Sequence, residues 1–309
     1  MNDLSWQPDG PLDLLATLGA LGHGPHDPTF RRTPGGELWW ATWTPAGAAS
    51  VRLRRAPGRP VLEAPVLADA WGSGAQWLLD GVPELLGASD DRTGFAAAAH
   101  PLVTALDRRF PGTRVPQTRR VLEAAVSAVL GQKVTGREAA ESWRLLVRRF
   151  GTAAPGPTPT GMYVPPAPVR WRRISQSELL AANVTPHRAR TLQAVAATAE
   201  SLERTLTTPT AADVDRALQS LPGVGPWTSA EIRQRAHGDA DAISIGDFHL
   251  AADVCWALTG QRGDDAAMLR LLEPWRGHRY RVQRLFELGH VFAPRRGPRY
   301  SPPAHRLHS

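Results

Sequence analysis

The chain has 309 residues, enough for two or three domains, because single cores stop growing at about 250–300 residues. Its net charge is +7 with a pI near 10.7, and its one lysine is Lys133, so the basic excess is arginine, which suits bidentate phosphate contacts but also a general surface bias. Cys255 is the only cysteine, which excludes an intrachain disulfide and any cysteine-clustered zinc or iron–sulfur centre, while the lack of a leader-like segment or bilayer-length apolar stretch predicts a cytoplasmic protein with no membrane partner.

The first hundred residues read as α+β. Residues 12–21 have apolar spacing that suits a helix, weakened by their glycine and threonine content. Residues 37–44 (ELWWATWT) and 51–55 (VRLRR) alternate apolar and β-preferring side chains around a turn at 45–47, and predict a hairpin. A strand is expected over 61–67 and a short helix over 74–86, punctuated at its end by Gly81, Pro83 and Gly87. From Pro101 the pattern is helical. Residues 121–150 divide into two helices at a GQKVTG turn, and the proline-, glycine- and threonine-rich stretch 151–168 predicts a connector over the surface, with order confined to its MYVPP centre. Helices are then expected over 177–182, 186–206 and 211–218, the second capped by Thr185 and opened by Pro186. Two more flank the WRGHRYR segment, over 265–272 and up to about 291, and residues 294–309 read as a basic, flexible tail. No repeat of fixed period is present, which argues against a solenoid.

Chemistry concentrates over 221–258. In LPGVGPWT, Gly223 and Gly225 flank Val224 where two helices must reverse, and the amides of such a turn with the start of the next helix form a concave surface for an anion such as phosphate. Downstream, Asp247 opens an apolar helical run whose inner face is expected to be Phe248, Ala251, Ala252, Cys255 and Leu258. Asp247 either caps that helix or presents a carboxylate to a ligand, and the two roles are compatible. His237, His249, His278 and His290 lack the spacing of a metal site, and none is expected.

LPGVGPWT, set between helical stretches and followed by Gly246 and Asp247, resembles the helix-hairpin-helix of the HhH-GPD DNA glycosylase superfamily. VLEAAVSAVLGQKVTGREAA is similar to the helix and turn that opens the catalytic domain of DNA-3-methyladenine glycosylase II, and the first hundred residues stand where that family has an antiparallel β domain. The resemblance implies an α+β architecture: a small antiparallel β-sheet domain with helices over 1–100, then an all-α glycosylase domain over 101–293. It also implies a monomer acting on double-stranded DNA, with no cofactor or iron–sulfur cluster and at most a monovalent cation at the hairpin. The DNA-contacting residues would be Gln132 and Lys133 in the GQK turn, Leu221, Gly223, Val224, Gly225 and Thr228 in the hairpin, and Arg276.

The chemistry so implied is removal of an alkylated purine in base-excision repair, with Asp247 stabilising the positive charge that develops on the sugar once the base is flipped out. Strand-cutting relatives carry a lysine directly before the hairpin threonine; here Trp227 stands there, so a monofunctional enzyme is expected. Trp227 packs either the flipped base or the underside of the hairpin. Lys133 occupies the position of the side chain that fills the gap left by the flipped nucleotide, or contacts phosphate, or is solvated. Glu231 and Arg284 fall where aromatic pocket residues are found. Glu231 either attracts a cationic base or pairs with Arg235 as a solvated ion pair. Arg276, Arg279 and Arg281 either contact phosphates or form a solvated face. The alternatives are a non-catalytic hairpin protein that binds DNA, or a glycosylase for deaminated or oxidised bases.

Overall fold

A computed structural model describes residues 2–294, and the expected tail, beyond Pro294, lies outside the described residues. Five antiparallel strands, β1 (Asn2–Trp6), β2 (Phe30–Arg32), β3 (Leu38–Thr44), β4 (Gly47–Arg55) and β5 (Val66–Gly72), form one sheet in the order β1-β5-β4-β3-β2. The expected hairpin is β3–β4, with Thr44 opposite Gly47. Strand alternation sends Leu38 and Trp40 of β3 into one core and Trp39 and Ala41 into another. The first core is closed by α1 (Leu14–Leu18), α2 (Ala75–Asp80) and α3 (Val82–Leu85). The second is closed by a ribbon of β6 (Thr152–Ala153) and β7 (Tyr163–Val164), which lays Met162 and Val164 on Trp39. The connector therefore covers the sheet instead of crossing open surface, because its apolar centre needs a partner. The strand expected over 61–67 starts only at Val66: Pro60 begins a turn whose carbonyl accepts from the N–H groups of Glu63 and Ala64.

After α4 (Pro101–Arg109) come α5 (Val121–Gly131) and α6 (Gly136–Phe150), joined by the expected turn. α5 is buried round most of its circumference, as a helix apolar on every side must be, and α6 opens with a reciprocal Thr135–Glu138 cap. A helix absent from the sequence expectations, α7 (Pro168–Arg173), follows the connector, then α8 (Gln176–Ala181), α9 (Pro186–Ala197) and α10 (Ala199–Arg204). The helix expected over 186–206 breaks at Thr198, whose hydroxyl bonds back to the carbonyls of Ala194 and Val195. Thr185 does not cap α9 through its side chain; its hydroxyl accepts from the Arg188 guanidinium. With α11 (Ala211–Gln219) and α12 (Pro226–Ile232) these helices enclose one core, while α13 (Leu250–Thr259), α14 (Asp265–Leu271) and α15 (Arg279–Leu288) enclose another with Val103 and Leu106 of α4.

A polar chain ties the sheet region to α5 and α6. His23 donates or accepts at 2.7 Å from the Ser127 hydroxyl and lies 3.0 Å from Asp27, and its ring stacks on Trp143, whose indole N–H also donates to Asp27. Burial pushes the Asp27 carboxyl up, but the hydrogen bonds and charge of His23 and the Thr29 amide outweigh it and hold it below its ordinary range. The Ser–His–Asp connectivity is that of a nucleophilic triad. However, Ser127 sits inside α5, whose amides are bonded along the helix and cannot form an oxyanion hole, so the network acts as a junction.

Beyond α12 the chain makes one π-helical turn, Arg233–His237, which places His237 Nε2 2.9 Å from the Thr205 hydroxyl. Burial pushes this imidazole down to about 4, with Asp239 and Arg233 acting in opposite directions. The unfolded chain takes up this proton below about pH 6.5. Stability supplied by the neutral ring is therefore present above that pH and lost as the pH falls toward 4. Urea titrations are expected to show a loss across this window of at most about 3 kcal/mol from this residue, and a His237→Gln variant should lack that part of the slope.

Candidate active site

α11 and α12 reverse through residues 220–225, where the Val224 amide donates to the Leu221 carbonyl at 3.0 Å. Gly223 has φ +82°, and a Cβ there would lie 2.0 Å from the Thr191 hydroxyl, so both conformation and space require glycine. Gly225 differs from the sequence expectation: its φ is −102° and nothing lies within 4 Å of a Cβ, so neither conformation nor crowding demands glycine. Leu221 rests against the core beneath.

Gln132 and Thr228, both expected on DNA, meet each other. The Gln132 amide donates to the Gly223 carbonyl at 2.8 Å and to the Thr228 hydroxyl at 2.9 Å, and Thr228 is only 3% exposed. Their pairing clamps the GQK turn to the hairpin, which leaves Lys133 exposed at the turn with φ +53°. The Gly223 carbonyl accepts from Gln132 and the Leu221 carbonyl from the Val224 amide, so both turn carbonyls are oriented by their donors. Among the described residues no group of three His, Cys, Asp or Glu side chains could hold a metal.

Asp247 joins the hairpin helix α12 to α13. Its Oδ1 accepts from the amides of His249 at 2.8 Å and Leu250 at 3.0 Å, at the start of α13, and its Oδ2 accepts from the Trp227 indole at 3.1 Å. Capping and presentation thus coexist: Oδ1 serves the helix and Oδ2 faces the aromatic ring. The preceding turn is rigid, with Gly246 at φ +86°, its amide on Asp265 at 3.0 Å, and the Asp247 amide on Ser244 at 3.2 Å. Trp227 also packs close over Gly131 of α5, where a Cβ would come within 3.1 Å of the ring. Phe248, expected on the inner face of α13, instead points to solvent and is 91% exposed.

Asp247 and Trp227 line a cavity of about 320 Å³ together with Glu231, Arg235, Tyr280 and Arg284. The three residues expected in a pocket therefore share one wall system, in which Glu231 and Arg284 are held in ion pairs beside the Trp227 ring. Glu231 accepts from Arg235 at 2.7 Å and from the Ser244 hydroxyl at 2.6 Å, while Arg284 pairs with Glu287 and donates to the Ala16 carbonyl of α1 at 3.2 Å. The Glu231–Arg235 pair is thus a partly buried part of the wall and not a solvated surface pair. Burial pushes the Tyr280 hydroxyl up to about 12, with the nearby carboxylates adding to it and Arg284 and Arg235 opposing, so it remains a neutral donor.

Comparison with known proteins places this arrangement. Over 187 residues, 59% of the chain, the sequence is 31% identical to a protein of Mycobacterium tuberculosis described as a probable bifunctional transcriptional activator/DNA repair enzyme AlkA. The chain spans only 37% of that relative's length. No family model matches. Among solved structures, 3-methyladenine DNA-glycosylase from Archaeoglobus fulgidus superposes with a TM-score of 0.75 at 17% identity, covering 95% of this chain and 99% of its own. The 8-oxoguanine glycosylase/lyase of Clostridium acetobutylicum gives 0.69 at 11% identity, covering 95% and 97%. The chain has the fold of the helix-hairpin-helix DNA glycosylases.

Within this glycosylase fold, the arginines of WRGHRYR separate. Arg276 is exposed, pairs with Glu273 and is not part of the cavity wall. Arg281 is 2% exposed and forked onto Asp90, and Arg279 is committed to Asp241, so neither forms a solvated face or is free for phosphate. Sequence reasoning missed Tyr280, Gln283 and Glu287, although their spacing around Arg284 puts all four on one helical face. The N-terminal region also reaches this wall: the Ala16 carbonyl of α1 accepts from Arg284, and Ala20, in the turn after α1, lines the cavity. The two hairpin glycines should behave differently. Gly223→Ala is expected to cost about 2–4 kcal/mol in urea unfolding through positive φ and overpacking, whereas Gly225→Ala should change stability by less than about 0.5 kcal/mol.

Proposed function

We propose that this chain is a monofunctional DNA glycosylase that hydrolyses the N-glycosidic bond of alkylated purines of the 3-methyladenine or 7-methylguanine type, in base-excision repair. In this reading the sheet region over 1–100 and the helical region over 101–293 work as two domains of a monomer on double-stranded DNA. The observation that carries it is Asp247: a carboxylate fixed on three donors at the wall of a cavity large enough to take a base. A nucleotide flipped out of the duplex would place its base in the cavity and its C1′ beside Oδ2. As the glycosidic electron pair leaves with the base, positive charge spreads over the sugar, and a carboxylate already held in place stabilises it without reorganising. Water then adds to C1′, oriented by the same carboxylate.

The walls favour a cationic base. Four carboxylates line the cavity, those of Glu231, Asp247, Asp253 and Glu287, against two guanidiniums, Arg235 and Arg284. A purine alkylated at a ring nitrogen carries positive charge, is drawn by that imbalance, and leaves as a neutral molecule. Gly223 and its neighbours in the hairpin, with Arg276 and Lys133, are the proposed phosphate contacts.

Incubated with methylated duplex DNA, the protein is expected to release alkylated purines, and Asp247→Asn to slow release by about 10²–10³-fold while still binding DNA. Tight binding by the wild type with no base released would replace the enzyme with a DNA-binding protein. Release of 8-oxoguanine in preference to methylated bases would overturn the substrate class. Because Lys133 is the only lysine, borohydride on abasic DNA is expected to trap no adduct. An adduct lost in Lys133→Ala would instead make the enzyme a lyase.

A further inference from the structure

Phe248 is the most exposed of the large hydrophobic side chains among the described residues, at 91%, and it directly follows Asp247. Its neighbours in the chain are polar, Asp247 on one side and His249 on the other, and its ring meets only the edge of the His249 ring, centroids 4.8 Å apart. The backbone that carries it is braced on both sides: before it by Gly246 on Asp265 and Asp247 on Ser244, after it by the two amides on Asp247 Oδ1. A phenyl ring left in water on a braced support forgoes the burial that stabilises apolar side chains, which is recovered only if something covers the ring.

A single ring flanked by polar residues is a poor protein-docking surface, which calls for a contiguous apolar patch. It is the right size for one nucleic-acid base, whose face stacks on an aromatic side chain without sequence preference, and the chain's charge of +7 favours a polyanion. The exposed residue of the turn after Gly131, on which Trp227 packs, is Lys133, which is cationic and lacks the apolar surface that unstacking a base step uses.

We propose that Phe248 is the apolar wedge of this protein: its ring enters the duplex at the base step beside the flipped nucleotide and stacks on the neighbouring base, while Lys133 contacts the phosphate backbone. This rests on the glycosylase reading for the position of the DNA. Insertion next to Asp247 would hold the sugar of the flipped nucleotide against the carboxylate and keep the extruded base from returning.

The test uses the full chain and a duplex bearing a stable abasic-site analogue next to 2-aminopurine. Wild type is expected to change the 2-aminopurine emission on binding. Phe248→Ala should abolish that change and bind the abasic duplex at least about tenfold more weakly, with undamaged-duplex affinity within about twofold of wild type because phosphate contacts are retained. Phe248→Trp should keep the affinity and show quenching of its own indole on the abasic duplex. Unchanged affinity and 2-aminopurine response in Phe248→Ala would overturn the proposal, as would an effect confined to self-association of the protein. Its fate is separable from that of the enzyme reading. Loss of abasic-duplex affinity in Phe248→Ala, in a protein that releases no base, leaves the wedge and removes the glycosylase; base release with no effect of Phe248→Ala does the reverse.

Discussion

The Asp247 carboxylate is the point on which two helical units converge. One oxygen takes the amides at the start of α13, in the core shared with α14 and α15, and the other takes the indole of Trp227 on α12, which packs in the core of α5 to α11. Each oxygen is satisfied by donors held by the start of α13 and by the packing of Trp227 on Gly131, so the carboxylate is already oriented to meet a positive charge. The same indole packs on Gly131, and the residue after Gly131 clamps the hairpin through Gln132. GQK turn, hairpin and carboxylate are thus linked by direct contacts, and the glycines at 131 and 223 are where the backbone must come close enough to allow it.

The cavity beside Asp247 is built at some cost. Ion pairs such as Glu231–Arg235 and Arg284–Glu287 are partly removed from water, and an apolar wall of similar volume would be as stable or more so. What they provide is a polar enclosure with fixed directions: Ser244 holds one oxygen of Glu231 while Arg235 holds the other, and Arg284 is anchored on the carbonyl of Ala16. That last contact makes the N-terminal region part of the cavity, alongside Ala20. Together with the His23–Asp27–Ser127 junction to α5, it explains how a sheet that carries none of the central carboxylate's ligands still shapes the site.

Much of the fold is legible along the chain. The β3–β4 hairpin follows from alternation around a tight turn, α5 and α6 from their apolar spacing and the interrupting GQKVTG, and the position of α13 from the run after Asp247. Where the reading failed, long-range contact decided. The 151–168 connector is locally turn-like, but Met162 and Val164 are claimed by Trp39 across the sheet. The long helix expected over 186–206 is interrupted by one hydroxyl bonding back to its own backbone, an outcome that side-chain rotamer and packing select.

The site divides in the same way. By itself the sequence determined the glycine that the hairpin reversal needs at 223, the carboxylate at the start of α13 and the presence of a single cysteine, because each depends on residue identity and short spacing. Only the tertiary structure decided that Gln132 and Thr228 bond to each other, that Arg281 is buried on Asp90, that Ser244 joins Arg235 on Glu231, and that Phe248 faces water. Hydrogen-bond partners for a polar side chain, and cover for an apolar one, come from segments tens to hundreds of residues away, and their arrival depends on how the cores pack and not on local periodicity.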